Sequence, residues 1–115
     1  MFPYSLEDIE KAYEKNGFKV IRGMTFEYDS KDRIVGCCPL GSLLSAKYNI
    51  KTRGGVEEHY DTIKGLGLTY DKRDGFIAGY DGNGDGDLDL YDEKTFKEAY
   101  RFGKKVFKAL KKKLW

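Results

Sequence analysis

The sequence predicts an α+β fold: a small, mainly helical domain with a short antiparallel β-hairpin or three-stranded sheet and a helix-loop-helix near the C-terminus. Three observations point there. Between Phe18 and Cys37, short runs of mixed apolar and polar residues, partly alternating, read as strands. Elsewhere apolar residues recur three and four apart, most regularly at Phe96, Tyr100, Gly103, Phe107, Leu110 and Leu114. Residues 81–92 then carry oxygen-bearing side chains at nearly every second position, with no Lys or Arg among them. At 115 residues the chain is read as one domain, 1–115, with a hairpin region at about 18–37 and the helix-loop-helix at about 69–112.

The first predicted helix covers 5–16. Ser5 suits the N-cap with Asp8 three residues on, Glu7 and Glu10 favour the same end, and Leu6, Ile9, Ala12 and Tyr13 form one stripe. Gly17 suits the left-handed stop. Phe18–Arg22, Met24–Tyr28 and Arg33–Cys37 read as strands. The last two should pair as a hairpin across Asp29–Asp32, and Gly23 marks a tight turn between the first two. Cys38–Tyr48 reads as a helix with Pro39 in its first turn, and Gly41, Ser42, Ser45 and Ala46 are small enough for close packing. A short helix over Val56–Lys64 follows. Thr69 then caps another from Tyr70 to about Gly79. The final helix is expected from near Leu90 to about Lys112, with Gly103 marking a close helix contact because glycine otherwise weakens a helix.

Nine Tyr, seven Phe and one Trp can fill a core of modest size. The net charge of +2 conceals a contrast. Residues 1–93 carry 12 basic and 18 acidic side chains, and residues 94–115 carry nine basic and one acidic. That contrast suits self-association, a homodimer included, or an acidic partner. The start shows no secretory leader and no apolar run is long enough to cross a membrane, so a cytoplasmic location without membrane association is expected. Cys37 and Cys38 are neighbours, which disfavours a disulfide between them, and two reduced thiols are expected.

The acidic stretch offers Asp81, Asn83, Asp85, Asp87 (through its carbonyl), Asp89 and Asp92 as ligands, with Gly86 at the bend and Leu88 turned inward. Five carboxylates confined to one loop repel one another, and a hard divalent cation removes that cost. The bland reading is a solvated acidic turn. The spacing resembles the EF-hand calcium loop, and an Asp in the last position is similar to dockerin loops. Dockerins carry two such loops, and this chain has one. The resemblance implies Ca2+, with Mg2+ tolerated at the same site. A second, looser resemblance, over roughly residues 35–107, rests on Cys37-Cys38-Pro39-Leu40-Gly41, Gly67-Leu68-Thr69, Gly75-Phe76-Ile77-Ala78-Gly79-Tyr80-Asp81-Gly82 and Ala99–Val106. It is to a group of small bacterial and phage proteins without assigned function, and it implies a compact helical domain and no activity.

The expected function is that of a calcium-binding protein-interaction module, its ion clamping two helices, and not that of an enzyme. A catalytic reading with Cys37 or Cys38 as nucleophile and His59 as base has no third orienting group to support it. The alternative is nucleic-acid binding through Lys97, Arg101, Lys104, Lys108 and Lys111, which recur at helical spacing in the last helix. The same lysines also read as a solvated helix face.

Overall fold

The computed structural model of the chain describes residues 2–54, 58–84 and 90–113, with the side chains of 58–60 outside that description. The architecture is α+β, with five helices and a three-stranded sheet among the described residues. The chain divides into two compact units, Tyr4–Gly67 and Met1–Pro3 with Leu68–Trp115.

In the first unit, α1 (Leu6–Asn16) begins with the expected capping box: Asp8 N–H donates to Ser5 Oγ and Ser5 N–H donates back to Asp8 Oδ2. It stops at Gly17, whose φ of 70° is left-handed and whose N–H donates to the Tyr13 carbonyl. Its inner face buries Ile9, Ala12 and Tyr13. The strands are β1 (Lys19–Val20), β2 (Phe26–Tyr28) and β3 (Ile34–Cys37). β2 and β3 make the expected antiparallel hairpin, with a bulge at Glu27/Tyr28. Gly23, with φ 90°, lies in the turn between β1 and β2, as expected, but the two strands do not pair. β1 lies parallel to β3 on the opposite edge, giving the order β1-β3-β2. β3 takes the centre because it is the most deeply buried strand, with Ile34, Gly36 and Cys37 all inside.

Helix α2 (Pro39–Tyr48) follows directly, with every residue from Pro39 to Ser45 buried. A methyl at Gly41 would stand 2.6 Å from the Thr25 carbonyl oxygen, so the small side chain brings this helix onto the chain leading into β2. Asn16 Nδ2 donates to the Ser42 carbonyl at 3.0 Å, tying α1 to α2. Helix α3 is described over Glu58–Lys64, and the predicted start at Val56 lies outside the described residues.

In the second unit, α4 (Tyr70–Asp81) is capped by Thr69 Oγ1, which accepts from Lys72 N–H, and ends at Gly82 with φ 77°. It therefore runs two residues past the expected end at Gly79. α5 (Glu93–Lys113) starts three residues later than expected from Leu90, because Asp92 accepts at its N-cap from the Thr95 N–H and hydroxyl.

The two helices pack by their glycines. A methyl at Gly75 would lie 2.5 Å from the Phe96 carbonyl oxygen, one at Gly79 would overlap the Tyr100 carbonyl oxygen, and one at Gly103 would overlap that of Phe76. Gly103 is thus the expected close contact. The order of partners was not expected. Gly75 meets Phe96, Gly79 meets Tyr100, and the Tyr80 ring meets that of Phe107 edge-on at 5.7 Å. Partners advance in the same direction on both helices, so α4 and α5 are parallel. The connection must therefore return from the end of α4 to Asp74, where the Tyr91 hydroxyl donates to Oδ2 at 2.8 Å.

Candidate functional site

The residues singled out from the sequence fall into two groups, both in the α4–α5 unit. The first is the return connection. Asp81 is the last residue of α4 and is half-buried. The last turn of α4 holds no basic residue. Its carbonyls are turned to closing the helix: Asn83 N–H donates to Ala78, and Gly82 N–H is shared between Ala78 and Gly79. Asn83 is exposed, and its own carbonyl accepts from the Tyr100 hydroxyl at 2.7 Å. Asp85, Asp87 and Asp89 lie outside the described residues.

Asp92 stands apart from Asp81 and Asn83. Tyr100, which touches Asn83, is eight residues along α5 from Asp92, or about 12 Å of helix axis at 1.5 Å per residue. The Thr95 hydroxyl and N–H hold the Asp92 carboxyl below the usual carboxylate range. Oδ2 is thereby engaged, so the residue that sequence spacing makes the twelfth ligand serves in the structure as a helix cap. Among the described residues no three His, Cys, Asp or Glu side chains form a metal-binding group.

Two tyrosines tie the ends of the connection to the helices: Tyr100 on Asn83 and Tyr91 on Asp74. The hydrogen bond to the Asp74 carboxylate, with some burial, pushes the Tyr91 phenol up, so it stays a neutral donor. Sequence reasoning missed both ties. The pair Gly75 and Gly79, four apart on one face of a helix, signals only the close approach of a neighbouring helix, not these bonds.

The second group is the row of cations on α5. Lys97 pairs with Glu93 at 2.6 Å. Lys104 lies 4.8 Å above the centre of the Tyr100 ring and Lys111 lies 5.8 Å from that of Phe107. Arg101 and Lys108 are exposed. These five residues follow spacings of four and three along the side of α5 opposite its buried residues Phe96, Ala99, Gly103, Val106 and Leu110. Phe102 is engaged by the rings of Phe2 and Phe76, at 5.2 and 5.8 Å, and Trp115 lies outside the described residues.

Neither cysteine forms a disulfide and both are buried, as expected for reduced thiols. Burial pushes the Cys37 thiol far above the usual range, so it carries no thiolate at neutral pH. His59 lies in α3, and its side chain is outside the described residues. Among the described residues no helix is long and apolar enough to cross a membrane.

Set against known proteins, the chain has no match among protein-family models, curated proteins or solved structures.

Proposed function

We propose that the chain is a calcium-binding protein-interaction module in which the ion holds the return connection between two parallel helices. The observation that carries this reading is the series of five carboxylates within residues 81–92, on a connection whose ends are tied down by Tyr100 and Tyr91. Crowding so many anions into a segment of fixed ends raises its energy, and a hard cation with several oxygen ligands lowers it. The likeness of the spacing to EF-hand and dockerin loops supports Ca2+ as that cation, with Mg2+ tolerated. In this reading Asp81, Asn83, Asp85, Asp87 and Asp89 supply the ligands from the α4 end. Asp92 joins them only if the first turn of α5 gives up its cap. The helices serve as the scaffold that a protein partner or a second copy recognises, in a cytoplasmic setting.

The experiment is calorimetry with and without chelator. Excess Ca2+ at about a hundredfold over its dissociation constant should stabilise the unit by about 2.7 kcal/mol, and chelator should remove the gain. Asp81→Ala with Asp85→Ala should melt identically in both conditions. A wild-type melt indifferent to chelator and to added calcium overturns the proposal.

A further inference from the structure

The outward face of α5 has a property that the calcium reading does not use. From Ala99 to Lys113 there are seven Lys and Arg and no acidic residue. Arg101, Lys104, Lys105, Lys108, Lys111 and Lys112 are all exposed, and none makes an ion pair among the described residues. Neighbours three and four apart on a helix face one another, so Arg101 with Lys104 and Lys105, Lys104 with Lys108, and Lys108 with Lys111 and Lys112 are all like-charge pairs. Lys104 and Lys111 rest on the Tyr100 and Phe107 rings, and Lys111 and Lys112 favour the C-terminal end of the helix, but among the described residues no acidic side chain pairs with the stripe. A surface of this kind is relieved by a partner with a regular row of negative charges.

The packing and composition of α5 also narrow the partner. A helix that lies on an anionic membrane needs an apolar face free to enter the lipid. The apolar face of α5 is already closed against α4 through Gly75, Gly79 and Gly103. An acidic peptide is best recognised by forked guanidinium groups, whereas five of these six cations are lysines, point charges without geometric preference. A straight row of point charges about 16 Å long, from Arg101 to Lys112 at 1.5 Å per residue, suits a partner read by charge alone. We infer that this face of α5 binds the phosphate backbone of double-stranded nucleic acid without sequence preference. Phe102 is not offered for base stacking, because Phe2 and Phe76 hold its ring.

Fluorescence anisotropy with a labelled 20-base-pair DNA duplex tests this on the full chain, in chelator, so that failure of the calcium reading does not affect the outcome. Binding should weaken with salt at a log–log slope of about −0.9 per phosphate contacted, hence about −4 to −5 in all. Arg101→Gln, Lys104→Gln and Lys108→Gln together, at exposed positions where the helix is checked by circular dichroism, should reduce that slope by about three. Lys31→Gln with Lys51→Gln, in the other unit, should leave it unchanged. No binding at 50 mM salt overturns the inference. So does a triple variant with the wild-type slope, loss of binding in the control variant, or displacement of the duplex by phosphatidylserine vesicles at equal charge.

Discussion

At Gly79 the helix surface has no room for a single methyl group, because the Tyr100 carbonyl oxygen occupies the place where it would go. Two effects oppose each other there. Alanine favours the helical backbone by about 1 kcal/mol over glycine. Overpacking a closed contact costs about 1–3 kcal/mol, and more when the obstacle is backbone, which cannot rotate away. The second should win. Gly79→Ala is expected to lower stability by about 1–2 kcal/mol in urea unfolding, and a stabilised variant would show that the helices do not approach so closely. The same scale explains which residue roles were legible. Ser5, Asp8, Gly17 and Thr69 act through neighbours a few positions away, so spacing alone assigned them. Tyr13 and Tyr91 act on partners 24 and 17 residues away, Cys37 and Asp74, and no local pattern announces such bonds.

At the scale of elements, Asp92 separates a cap from a ligand. Asn retains N-cap ability and Ala does not. Asp92→Asn should therefore leave the melting temperature in chelator almost unchanged and keep the calcium response, while Asp92→Ala should melt lower under both conditions. If Asp92→Asn abolishes the calcium response, the side chain is a ligand and the cap is given up on binding. The pH dependence has a definite sign. The folded carboxyl titrates below its unfolded value, so its contribution is complete above about pH 4 and is lost as pH falls through the lowered value. Helix positions were largely legible because caps and apolar stripes are local. Pairing was not. β1 as a parallel neighbour of β3, and α5 parallel to α4, depend on which buried surfaces fit across the chain, and periodicity is silent about direction.

Across the whole molecule, the acid–base contrast belongs to one unit. Tyr4–Gly67 holds ten acidic and ten basic residues and is balanced. Residues 68–93 hold eight acidic and two basic residues, and 94–113 hold the nine cations of the C-terminal stretch with Glu98. What reads from the sequence as an acidic body with a basic tail is therefore one neutral unit and one whose charges are sorted by sign along the chain. Like charges dominate each group at short range. Raising salt from 20 to 150 mM shortens the screening length from about 20 to about 8 Å and should raise the melting temperature of the chelated protein by calorimetry. A fall would mean that attraction between the two groups outweighs repulsion within them. The α+β class was legible because strands and helices differ in period. The carboxylate pattern was legible as chemistry, but where its members stand depends on a return path set by helix direction.

Parallel packing of α4 and α5 also aligns their peptide dipoles. Antiparallel neighbours cancel each other's poles, and here both negative ends point the same way. α5 offsets its own with Lys111, Lys112 and Lys113 in the last turn. α4 has no such residue and adds Asp81 instead. The last turn of α4 therefore adds an acidic residue to the negative pole and holds no basic one, at the point where the acidic connection begins. A bound cation there would stand where a lysine would otherwise be placed, completing the electrostatics of the helix as well as the coordination of the loop.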